Sequence, residues 1–180
     1  MKVIAFAVCF FLWSGCESSS DPLVVQNFDP LLARKNGIWV YHGAVFNGTM
    51  VEKDRTGKLL YQVKIVDGKE EGLALGMYNT GEKLLARKYS HGKKSGRFLQ
   101  WWPNGHVRYS FGYKEDKMDG QQLVFYPDGK TRQESNYANG VEEGIQRVWN
   151  ENGALVSNYT IRNKKLYGVI SVKSCLPAMH

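Results

Sequence analysis

The sequence predicts an all-β protein made of tandem 24-residue β-hairpin repeats that pair into one antiparallel sheet. Three observations carry this. Gly48, Gly72, Gly96, Gly120, Gly144 and Gly168 recur at a spacing of 24, and Gly57, Gly81, Gly105, Gly129 and Gly153 keep the same period nine residues later. Glycine is only 19 of 180 residues, so two such lattices are not chance, and a period in this range marks a tandem array. Between the glycines lie runs that alternate apolar and polar, as strands do. The runs are punctuated by Pro-Asn-Gly, Pro-Asp-Gly and Asn-Gly, which are turn sequences with a mechanism: proline fixes φ and glycine accepts a positive one.

The first element, residues 1–15, is an export signal. Lys2 is followed by the apolar run Val3 to Trp13 and then Ser14-Gly15-Cys16, a run too short to span a bilayer. With Cys at the point of cleavage, the segment resembles a bacterial lipoprotein signal. The resemblance implies that Cys16 becomes a lipidated N-terminus. It also implies a lipid-anchored protein of the cell envelope, at the outer membrane and facing the periplasm or the cell surface. Glu17 to Pro22 is polar and reads as a tether, which extends over residues 16–36. Two or three acyl chains make such attachment lasting, at about 0.8 kcal/mol per buried methylene. Cys9 leaves with the signal and Cys16 is consumed by lipid. Cys175 is then the one remaining thiol, and packing rather than a disulfide must hold the fold.

The array follows over residues 37–175. An incomplete unit from Trp39 to Gly57 opens it, four full units end at Gly81, Gly105, Gly129 and Gly153, and Val156 to Cys175 closes it. In the third unit Val107, Tyr109, Phe111 and Tyr113 point one way while Arg108, Ser110 and Lys114 point the other. The second run, Gln121 to Tyr126, leads into Pro127-Asp128-Gly129. The Gly48 series is expected to close the longer turn of each unit, and the Gly57 series the tight hairpin turn. Tyr41, Ile65, Tyr89, Tyr113, Tyr137 and Ile161 stand seven residues before the first lattice, and Met77, Trp101, Phe125 and Trp149 five after it. These rows mark the core face. Tyr78, Trp102 and Tyr126 have the opposite parity and are the candidate interaction face.

The pattern of Tyr and Gly followed by paired aromatics and Pro-Asn/Asp-Gly, in Tyr89 to Gly105, Tyr113 to Lys130 and Tyr137 to Gly153, resembles the bacterial variant of the MORN repeat. Proteins of that kind are often labelled toxin–antitoxin system YwqK family antitoxin. The resemblance covers about Gly37 to Gly168 and implies an elongated, twisted antiparallel sheet of stacked hairpins. It implies no shared catalytic set. It links the chain instead to membrane association and protein scaffolding.

The residues themselves point away from catalysis. The carboxylate pairs Glu70-Glu71, Glu115-Asp116 and Glu142-Glu143 recur at one turn of successive units, so turn chemistry accounts for them better than acid–base work. His42, His91 and His106 are not at ligand spacing. No cofactor is expected. The tail 176–180 follows Cys175, and Cys175, Met179 and His180 form a soft set suited to Cu(I). With Lys2 removed, 23 basic residues face 17 acidic ones, a net charge of +6. The charges are scattered and no nucleic-acid motif accompanies them, so nucleic acid is not an expected partner. Open sheet edges invite self-association. The expected function is non-enzymatic: a membrane-anchored, exported lipoprotein whose sheet binds a protein or envelope component. The alternatives are antitoxin-like inhibition of a neighbouring toxin, or copper and thiol handling through the tail.

Overall fold

The computed structural model describes residues 23–169, which hold strands and no helix. Cys9, Cys16, Cys175, Met179 and His180 lie outside those residues, and with them the signal, the lipidation site and the tail. In chain order the strands are β1 (Val24–Gln26), β2 (Leu32–Lys35), β3 (Ile38–Tyr41), β4 (Ala44–Val45), β5 (Gly48–Lys53), β6 (Leu59–Val66), β7 (Lys69–Met77) and β8 (Lys83–Ser90). They continue with β9 (Lys93–Trp101), β10 (Val107–Lys114), β11 (Lys117–Met118), β12 (Gly120–Phe125), β13 (Thr131–Ala138), β14 (Val141–Trp149), β15 (Leu155–Arg162) and β16 (Lys165–Val169). From β5 to β16 each strand pairs with the next in sequence, with β11 as a short arm on β10. Strands β2, β3 and β4 form a separate three-stranded sheet.

The expected antiparallel hairpin array is therefore present, with two departures. At one edge β1 runs parallel to β5, so the large sheet is mixed. The second departure is that β1 and β2 lie within residues 16–36, so the folded unit begins well before the expected start at 37.

Turn geometry also reassigns the glycine lattices. The tight turns are two-residue loops with both residues at positive φ: Asp67-Gly68, His91-Gly92, Glu115-Asp116, Asn139-Gly140 and Asn163-Lys164. Such turns match the right-handed twist of the strands they join. The Gly57 series closes the longer, five-residue loops instead. The Gly48 series sits within strands: Gly72, Gly96 and Gly144 have φ of 76, 78 and 91 inside β7, β9 and β14. Opposite each of them the ladder slips, between Gln62 and Lys64, Arg87 and Tyr89, and Ser135 and Tyr137. These are β-bulges, where an extra residue bends the strand and a left-handed glycine absorbs it. At Gly120 the same irregularity splits one strand into β11 and β12.

Successive tight turns are laced together. The N–H groups of Gly68, Gly92, Asp116 and Gly140 donate to the carbonyls of Phe46, Glu70, Lys94 and Met118 in the preceding repeat. Side chains add a second set of rungs. Asn47, Glu71 and Asp119 accept from the backbone N–H of Asp67, His91 and Asn139 at 2.7, 2.6 and 3.2 Å. These are the residues just before lattice glycines. The turn reading of the Glu71 carboxylate thus has a specific contact behind it.

The apolar core lies at the N-terminal end. Val25, Leu32, Phe46, Met50, Val63, Ile65 and Ala74 form one buried cluster, with Trp39, Tyr41, Tyr61 and Tyr89 packed against it. Leu32 of the small sheet, and Phe46 just after it, cover one face of β5 to β7. Past Ala74, the buried side chains among the described residues are polar: Gln122, Ser135 and Gln146. Gln122 plugs a bulge. Its Oε1 accepts from Gly112 N–H at 2.8 Å, and its Nε2 donates to the carbonyls of Gly112, Asp119 and Gly120. A buried side-chain amide is tolerated because it replaces ladder partners the bulge removed.

Candidate functional site

The five-residue loops 54–58, 78–82, 102–106, 126–130 and 150–154 share one construction. The first residue's N–H donates to the fifth residue's carbonyl, and the glycine N–H donates back to the first, as in Tyr78 N–H to Glu82 O and Gly81 N–H to Tyr78 O, both 2.9 Å. The glycines hold φ from 82 to 109, which a side chain would strain. What differs is the first residue. Asp54 and Asn150 close their own loops, their Oδ1 accepting from Lys58 N–H at 3.0 Å and Ala154 N–H at 2.9 Å. The loops between them begin with Tyr78, Trp102 and Tyr126, which reach outward instead.

Each of these three side chains binds the next repeat at the same place. Tyr78 Oη donates to Trp101 O at 2.7 Å, Trp102 Nε1 to Phe125 O at 3.3 Å, and Tyr126 Oη to Trp149 O at 2.9 Å. The candidate interaction residues are therefore half-buried stitches between repeats rather than free rings. Asn104 Nδ2 and His106 Nδ1 lie 2.7 and 2.8 Å from Pro127 O, and Lys130 Nζ donates to Glu151 O. The loops thus stack into one continuous end of the sheet.

Trp102 and Tyr126, but not Tyr78, line a recess of about 370 Å³ at this end. Arg108, Tyr109, Pro127, Arg132 and Glu151 also border it. The Arg108 guanidinium lies 4.3 Å from the Trp102 ring centroid and 4.8 Å from that of Tyr109, and Arg132 lies 6.0 Å from Tyr126. Neither guanidinium is in an ion pair among the described residues. The cation–π contacts hold the guanidinium groups near the rings and leave N–H groups for a ligand, and arginine's fork of donors suits carboxylates and phosphates. One carboxylate, Glu151, stands among them, so the recess carries two positive charges and one negative. It presents planar aromatic, cationic and acceptor groups together. Parity along the strands pointed to the aromatics. The arginines were not legible, because each becomes distinctive only when the hairpin brings it against a ring from another strand.

His91 and His106 occupy turns as expected. His91 holds φ 51 and shares its Nδ1 with Ser90 Oγ at 3.0 Å. No cluster of three potential metal ligands occurs among the described residues. The core-face row is split by the structure. Ile65 is buried, Tyr41 and Tyr89 pack on the cluster, and Tyr113 and Tyr137 are half-buried beyond it.

A MORN repeat variant is found at residues 118–139, a stretch that takes in β12, the Tyr126 loop and β13. No curated protein matches the chain. Among solved structures, a mutant of S. aureus TarM in complex with fondaparinux, alpha-GlcNAc-glycerol and UDP is similar at 22% identity with a TM-score of 0.35. That similarity covers 54% of this chain and 20% of that one.

Proposed function

We propose that this chain is a lipid-anchored envelope protein that works by binding, with the loop end of its sheet as the recognition surface. The observation that carries the proposal is the recess itself. Arg108 of β10 and Arg132 of β13 are held near Trp102, Tyr109 and Tyr126 without a carboxylate partner, beside loops that the stitches keep in register. A guanidinium on an aromatic face, such as the half-buried Arg108, is a typical anchor of a binding surface, since little side-chain freedom remains to be lost. The matching partner is a protein segment or envelope component that presents acidic groups beside a flat apolar or sugar-like face. The repeat supplies rigidity, and the lipid on Cys16 supplies location.

The test is photo-crosslinking from position 126 in cells expressing the full chain. A discrete adduct is expected, lost in the R108A/R132A variant and lost from the membrane fraction when Cys16→Ser is introduced. An adduct that survives the double arginine change would refute the recess. A Cys16→Ser protein that stays in the membrane fraction would refute the anchor.

A further inference from the structure

A second recess, remote from the loop end, opens where the sheet bulges at Gly96. It is bordered by Arg87 and Lys88 of β8, by Lys94, Gly96, Arg97 and Phe98 of β9, and by Tyr113 of β10, with a volume of about 100 Å³. Four of these seven residues are cations and none is acidic. The bulge accounts for the convergence. Around Gly96 the ladder passes from Arg87 opposite Phe98 to Tyr89 opposite Lys94, so cations from neighbouring strands converge on one gap.

Arg87 gives the gap its chemistry. Its guanidinium lies 4.5 Å from the Phe98 ring centroid, it is in no ion pair among the described residues, and its Nε is buried without a hydrogen-bond partner. Leaving a buried donor of a charged group unpaired is costly, so the site is poised for an acceptor. Lys94 Nζ lies 5.2 Å from the Tyr113 ring centroid, on the same recess. Arg97 is already engaged, donating to Gln121 O at 2.9 Å, and acts as fixed charge. A nearby acid, Asp116, spends its Oδ1 on the Lys94 backbone N–H at 2.8 Å and does not line the gap. Burial raises the Tyr113 phenol, which keeps it a neutral hydrogen-bond donor.

We propose that this recess binds one phosphoryl-type oxyanion, held by Arg87 and Lys94 and favoured by Lys88 and Arg97. The charge matches a divalent oxyanion better than a single carboxylate. A volume of about 100 Å³ is a few waters' worth, with water taking about 30 Å³ in the liquid, so it fits a tetrahedral group and not a whole nucleotide. The group could be free in solution or the head of a larger molecule, since the recess is open on one side.

Isothermal titration of the full chain with inorganic phosphate, at ionic strength held by sodium chloride, tests the soluble source. Sedimentation with phosphatidylcholine vesicles, with and without phosphatidic acid and with free phosphate as competitor, tests the headgroup source. Saturable binding in either arm is expected, weakened about tenfold or more in Arg87→Gln and in Lys94→Gln and unchanged in Arg162→Gln. Lys94 is exposed, so its variant decides the matter if Arg87→Gln does not fold. Equal weakening in Arg162→Gln means an adventitious ion only and overturns the site, as does the absence of binding in both arms. The loop-end reading is untouched by either result, because its arginines are not varied here.

Discussion

Tyr61 shows how one side chain couples the core to pH. It packs against the buried cluster, and its phenol is pushed up to about 12, first by burial and then by Tyr89 and Glu70, with Arg87 pulling the other way. The folded value lies above the ordinary 10.0, so the folded state holds this proton more tightly than the unfolded chain does. Its contribution is complete below pH 10 and is lost as pH rises from there through about 12. Urea midpoints across that window should fall in the wild type and fall less in Tyr61→Phe. Parallel curves for the two proteins would show that another group governs alkaline unfolding. Neither this residue nor Gln122 could be singled out from the sequence. Tyr61 looks like any strand tyrosine, and Gln122 occupies the position held by Met50, Ala74 and Phe98 in earlier repeats. Its burial follows from the bulge at Gly112 and Gly120, a feature of two strands at once.

Among the elements, the aromatic-led loop is the unit to test. Tyr126→Phe removes only the hydroxyl that donates to Trp149 O, leaving the ring in place. A loss of about 0.5–1.5 kcal/mol is expected in chemical denaturation, with a similar loss for Tyr78→Phe. A change near zero would mean water replaces the stitch. The period of these loops was legible because Gly57 and its successors need positive φ in every copy. The tight turns were hidden for the opposite reason. Type I′ geometry tolerates Asp, Asn and His at the first position, and here even Glu115, Asp116 and Lys164 adopt it, so no single residue type marks the lattice. The bulge glycines kept perfect period yet could not be told from turn glycines, since positive φ serves both. The β1 pairing was equally opaque: three residues carry no periodicity.

Across the whole molecule, stability should be graded. The apolar cluster ends at Ala74, and the repeats beyond it rest on half-buried aromatics, stitches and turn rungs. In a repeat array each unit draws its stability from its neighbours, so the end distant from the cluster opens first. Hydrogen exchange should find amides of β6 and β7 more protected than those of β14 and β15. Uniform protection would show a single cooperative unit instead. The rungs between repeats also have a bearing on how such a chain can change. Every turn rung joins residues 22 or 20 apart, and every aromatic stitch joins residues 23 apart, whatever side chains lie between. The array therefore measures sequence distance and hardly reads sequence identity. Gaining or losing 24 residues in frame lengthens or shortens the ruler by one mark and leaves all other marks aligned. A one-residue insertion between two marks disrupts the turn rung and the stitch that span it. Duplication is thus the cheap route by which a protein of this build acquires a new recess beside an old one, and single-residue insertion is the costly one.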